Sequence, residues 1–204
     1  MSAPDEWYES VERRRREKDE YFRDHPHSPL PPDERESFTG LEYFPPDPAF
    51  RFEIPLHEHD DEDKETIAIA TTTEGEREYV DWGEFHFEVP GGQNDESGDG
   101  AECVLHAYKS DPDEGGLWVP FRDATSGEET YGAGRYLDLD TSDDRGDDGA
   151  WVLDFNLAYN PFCAYSERYE CPLVPMENWL DVRIEAGEKT YRTSESYEPG
   201  ESRP

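Results

Sequence analysis

Apolar and polar residues alternate with period two through most of this chain after residue 38. Phe50, Phe52, Ile54 and Leu56 alternate with Arg51 and Glu53, Ile67 and Ile69 alternate with alanine, and Phe85, Phe87 and Val89 alternate with His86 and Glu88. Successive side chains of a strand point to opposite faces, so the pattern predicts half-buried antiparallel strands. Further strands are expected at 102–108, 117–121, 135–140, 151–156 and 179–185. The opening differs. From Pro4 to Asp24 the residues Trp7, Val11, Lys18 and Phe22 fall on one stripe at helical spacing, Asp5 and Glu6 suit the positive end of the dipole, and Pro26 stops the run. The pairs Glu9–Arg13, Glu12–Arg16 and Asp19–Arg23 are spaced to support that helix, and the run Arg13–Arg16 reads as a solvated face. No helical period recurs after residue 30. The fold class is therefore mainly β: an antiparallel barrel, roll or sandwich preceded by one N-terminal amphipathic helix.

A single domain is expected, with the helix at 4–25, a proline-rich connector (HPHSPLPP), a β body at 38–189 and a disordered tail at 190–204. Acidic or glycine-rich loops at 58–65, 91–100, 111–116 and 142–149 separate the strands.

Composition changes the picture in one respect. The 204 residues carry a formal net charge of -33 with 33% hydrophobic residues, a combination that ordinarily accompanies disorder. Aromatics at 13%, spaced within Gly- and Pro-bounded segments, indicate packed strands instead. Lys18, Lys64, Lys109 and Lys189 are the lysines, and arginine supplies the other cations. A lysine-poor acidic surface around an aromatic core fits a halophilic protein of a salt-accumulating, archaeal type of cytoplasm, where like charges are screened within a few ångströms. The same charge excludes nucleic acid as a partner. The opening MSAPDEWYES has no apolar run, so neither signal peptide nor membrane span is expected, and a cytoplasmic location follows.

Candidate chemistry collects in two segments, FRDATSGEETYGAGRYL (121–137) and 151–189. Asp123, Tyr131, Arg135, Asp154, Asn156, Asn160 and Tyr165 bring carboxylate, phenol, guanidinium and amide groups onto β segments, where they need partners or a ligand. Period two puts Asp154 and Asn156 on one strand face. Arg135 is expected to form an internal ion pair with Asp123, Asp138 or Asp154, or else to hold an anionic ligand. The glycines at 132 and 134 precede a strand, not a helix, so they signal a tight turn and no phosphate cradle.

Cys163 and Cys171 lack metal-ligand spacing; thiols or a disulfide are the expected states, and a nucleophilic Cys163 would need His86 or His106. His57 and His59 could chelate one metal from a shared face, yet the acids that follow make a solvated tip the expected reading. Glu177, Glu188 and Asp154 could pair for acid–base work. No metal site and no cofactor is assigned.

The blocks KDEYFRDHPHSPL, FTGLEYFPPD, FRDATSGEETYGAGRYLDL, DFNLAYNPFCAY, CPLVPMENWL and IEAGEK, in order from about residue 16 to 189, resemble an archaeal and bacterial family catalogued as a domain of unknown function. That resemblance implies a single domain and carries no activity. Two functions remain. One is a soluble small-ligand-binding β domain, an enzyme or not, with a pocket lined by the seven residues named above. The other is a structural or interaction protein in which those residues form an internal hydrogen-bond network. Oligomeric state stays open.

Overall fold

The computed structural model describes residues 3–60, 62, 64–90, 100–113 and 115–191. Helix α1 (Ala3–Asp24) is followed by a one-turn helix α2 (Pro32–Arg35) and then by strands. Strands β2 (His57–Glu58) and β3 (Thr66–Ala70) both pair with β4 (Glu76–Val89), and β5 (Ala101–Lys109), β6 (Leu117–Phe121) and β7 (Arg135–Leu139) follow in order. A second, two-stranded sheet joins β1 (Arg51–Ile54) to β8 (Trp151–Asp154). Every ladder is antiparallel.

The two-stranded ribbon lies over the inner face of the larger sheet. Phe52 packs on Phe87 with ring centroids 5.0 Å apart, and Phe155 meets Phe121 edge to face at 5.1 Å. Phe85, Leu105, Ala107, Val119, Phe121, Leu153 and Phe155 are wholly excluded from solvent there. Burying these side chains supplies the main driving force, roughly 1.5–3 kcal/mol for each large one. The sheet does not close. Among the described residues the outer edge of β7 makes a single bridge, Tyr136 to Tyr159. The fold is an open antiparallel roll or sandwich, and the barrel alternative is set aside.

The helical stripe is the docking face of α1. Val11 and Phe22 are buried, Phe22 among Leu30, Phe38 and Tyr165. Among the described residues the pairs within the helix are Arg13–Glu17 and Arg15–Glu12 in place of the expected ones, and Asp19, expected to pair with Arg23, accepts from the backbone N–H of Leu41 at 3.0 Å.

Two strand expectations are corrected. Strand β8 ends at Asp154, whose side chain accepts from the Asn156 N–H (3.0 Å) and caps a 3-10 turn over Phe155–Leu157. A local carboxylate has replaced a cross-strand partner. Residues 179–185 form no ladder: Trp179 makes one bridge to Arg122, Leu180 N and Val182 O bond the backbone of Arg122 and Ala124 at 2.8 Å, and the side chains of Asp123 and Arg135 take both backbone groups of Ile184.

Asn178 makes one such substitution between β5 and β6, which pair only at Tyr108 and Trp118. Its Oδ1 accepts from His106 N at 2.8 Å, while its Nδ2 donates to His106 O (2.9 Å) and Pro120 O (2.6 Å). Pro120 has no N–H to offer at that place, and the buried carboxamide completes the gap.

Candidate functional site

The polar residues picked from sequence are brought together in part. Arg135 opens β7 with its side chain wholly buried. Its Nη2 donates to Asp123 Oδ1 (3.1 Å) and Ile184 O (3.0 Å); its Nη1 donates to the carbonyls of Ala186 and, at 3.4 Å, Glu188. One guanidinium thus gathers the carbonyls of residues 184, 186 and 188 of the C-terminal segment. Asp123 Oδ2 accepts from Thr125 Oγ1 and from Ile184 N, each at 2.8 Å. Burial pulls the Arg135 guanidinium below its ordinary value, and the Asp123 carboxylate opposes that shift. The expected ion pair is this one, with Asp123.

Beside it, Glu188, named in the sequence only as one of three carboxylates that could pair for acid–base work, is the hub of a second group. Its carboxylate accepts from Lys18 Nζ (2.6 Å), Asn160 N (3.2 Å), Asn160 Nδ2 (3.1 Å) and the Tyr165 hydroxyl. Burial raises its carboxyl above the usual range, against the pull of Lys18. Asn160 Nδ2 also donates to Lys189 O at 2.8 Å. Arg135 Nε and Asn160 Oδ1 have no hydrogen-bond partner among the described residues.

Asp154 and Asn156 form a separate group under the helix. Asp154 accepts from Trp7 Nε1 (2.8 Å) and from Asn156 Nδ2 (2.9 Å), while Asn156 pairs with both backbone groups of Asp47 at 2.8 Å. Asp154, Glu188 and Glu177 therefore belong to three different hydrogen-bond groups, Glu177 accepting from Tyr108 at 3.1 Å.

The Tyr131 hydroxyl donates to Cys163 Sγ at 3.8 Å. Cys103, Cys163 and Cys171 are free thiols. A hydrogen bond from Cys163 brings the Cys171 thiol down to about 7, and the same bond, with burial added, pushes Cys163 up.

A second concentration of chemistry lies on the outer face of the six-stranded sheet. His57, His59, His86 and His106, four of the six histidines, meet there with Asp81 and Glu84. His57 packs against His86, with centroids 4.7 Å apart, so the two histidines of His57-Glu58-His59 do not share a partner. His59 faces Asp81 and His106 instead.

A bulge produces this arrangement. The β4–β5 register shifts between Asp81 and Gly83, which sets Asp81 opposite Tyr108 and on the face of His106. A Cβ at Gly83 would lie 2.6 Å from His57 O, so only glycine lets β2 approach this closely. That glycine, inside an alternating run, was the available sequence signal. Hydrogen bonding to Asp81 lifts the His106 imidazole above its ordinary value, burial opposes, and Glu84 and Glu177 add to the lift.

Fold and site together define an open antiparallel β roll or sandwich, pinned internally by buried ion pairs and carrying histidines on one outer face. Residues 36–189 match the family described as "Protein of unknown function (DUF1684)", and the chain belongs to that family. It is similar to the solution NMR structure of an uncharacterized protein of Haloarcula marismortui, at 40% identity and a TM-score of 0.67 over 92% of this chain and 96% of that one. No curated protein matches it. No helix among the described residues is long and apolar enough to cross a membrane.

Proposed function

We propose that this chain is a non-catalytic protein that acts through its surface, with Asp123, Arg135, Asp154, Asn156, Asn160 and Tyr165 serving as the internal network that ties helix, sheet and C-terminal segment together. The Arg135 guanidinium carries this reading. It has no solvent exposure, and its two terminal nitrogens make four hydrogen bonds to protein acceptors. A ligand at Arg135 would have to displace Asp123 or a backbone carbonyl from a dry site, at a cost of several kcal/mol. The acidic composition and the likeness to a Haloarcula protein support a soluble, salt-adapted form of this role.

One observation favours the small-ligand reading at another place. A cleft of about 250 Å³ is lined by Trp82, Trp151, Lys109 and Arg145 among others. Two indoles beside two cations suit a compact anionic molecule, although the volume is below the roughly 300 Å³ at which ligand pockets usually begin.

Native mass spectrometry of protein purified in strong KCl, run beside Asn156→Ala, separates the readings. The network reading expects no organic molecule on either protein and a variant less stable by about 1–3 kcal/mol. An organic adduct present on the wild type and absent from Asn156→Ala would overturn it.

A further inference from the structure

We propose that His59, Asp81 and His106 bind one divalent transition-metal ion of the zinc type on the outer face of the sheet. The inference rests on residues outside the internal network and stands whether or not that network is purely structural.

Two imidazoles and one carboxylate form a donor set suited to zinc and its neighbours, whereas magnesium and calcium prefer oxygen alone. The donor atoms all lie within 4.8 Å of one another. His59 Nε2 is 3.4 Å from Asp81 Oδ1, and His106 Nδ1 is 2.8 Å from Asp81 Oδ2. Ligands at 2.0–2.2 Å around a tetrahedral ion are about 3.3–3.5 Å apart. The side chains therefore need only small rotations to accept an ion.

Three features go beyond proximity. First, the backbone positions are fixed from outside the site. His59 N donates to Trp82 O at 3.1 Å, Asp81 N donates to Glu65 O at 2.9 Å, and Asn178 holds both backbone groups of His106. Second, Asp81 Oδ1 is buried and accepts no hydrogen bond from the described residues. A buried carboxylate oxygen in that condition is costly unless a cation meets it. Third, the other ring nitrogen of His106, Nε2, faces Glu84 Oε1 at 3.6 Å. A carboxylate behind a ligating imidazole sets its tautomer and raises its basicity.

The three side chains are 17–23% exposed, so one side of the site opens to solvent. Three protein ligands and an open position are the arrangement in which a zinc-type ion keeps a water or accepts an external group. His57 and His86 lie on the same face, their rings against each other and His86 bonded to Glu84 at 2.9 Å, and neither belongs to the donor set.

The test is isothermal titration of the chelator-stripped full chain with zinc chloride in 2 M KCl, where general attraction of cations to the acidic surface is screened. The wild type should bind one equivalent, and a 100-fold excess of magnesium should not compete. His59→Gln and His106→Gln should each weaken binding by at least about 100-fold, a ligand mattering no less than a supporting group. His57→Gln should stay within threefold of the wild type. Cobalt in place of zinc should give a visible absorption band that both ligand variants lose. Melting without metal checks the fold, and His59→Gln carries the test if His106→Gln does not fold. Zinc affinity unchanged in His59→Gln, equal competition by magnesium, or no saturable binding would overturn the proposal.

Discussion

Lys18 of α1 lies 2.6 Å from the carboxylate of Glu188, a side chain 1% exposed near the far end of the described chain. The helix is thus tied to the C-terminal segment by a charge that is otherwise costly to bury. Removing one partner leaves the other uncompensated, so Lys18→Met should lose about 3–5 kcal/mol in chemical denaturation. Adding Glu188→Gln should recover part of that loss, because the uncompensated charge disappears. No recovery in the double variant would show that the contact contributes by packing alone.

Asn178 should be nearly as sensitive as a core residue. Its carboxamide serves His106 and Pro120 in place of a ladder, so Asn178→Ala strands the His106 N–H and two carbonyls. The expected cost is about 2–4 kcal/mol. Hydrogen exchange should accelerate at His106 before it does at Leu105.

The paired thiols give a pH signature. Cys171 falls from 9.0 to about 7 in the folded chain because Cys163 donates to its sulfur. Between those values the unfolded chain holds a proton that the folded chain has released, so stability should rise with pH from about 7 to 9. That contribution is lost as pH falls through the folded value. Denaturation midpoints across this range should show the rise in the wild type, and Cys171→Ser should flatten it.

With a net charge of -33, self-repulsion should dominate in dilute buffer. Thermal melts should shift upward by ten degrees or more on going from roughly 0.1 M to 2 M KCl, as the screening length contracts from about 10 Å to a few ångströms. Equal melting temperatures would remove the salt-adapted reading.

Much of the architecture was legible because burial imposes a period. Phe85, Phe87 and Val89 alternate since one face of β4 is core, and Trp7, Val11 and Phe22 share a stripe since one face of α1 docks. An internal ion pair at Arg135 was legible as chemistry, since a buried guanidinium needs a carboxylate, and the fold selected Asp123 from the three candidates Asp123, Asp138 and Asp154. What escaped has no period. A carboxamide at Asn178 completing a gap between strands and an arginine at 135 holding three carbonyls look like ordinary polar residues in sequence. The meeting of His59, Asp81 and His106 depends on the extra residue at the Trp82 bulge. Spacing along one strand pointed to His57 with His59, but the cross-strand register makes a different set.

The central claim, that the Arg135 group holds the fold, is tested most directly by a double-mutant cycle on Arg135→Met and Asp123→Leu, measured by chemical denaturation in strong KCl. The account predicts that each single variant loses about 3–5 kcal/mol and that the double variant loses far less than their sum, a coupling above about 2 kcal/mol. Additive losses, or single variants as stable as the wild type, would contradict it.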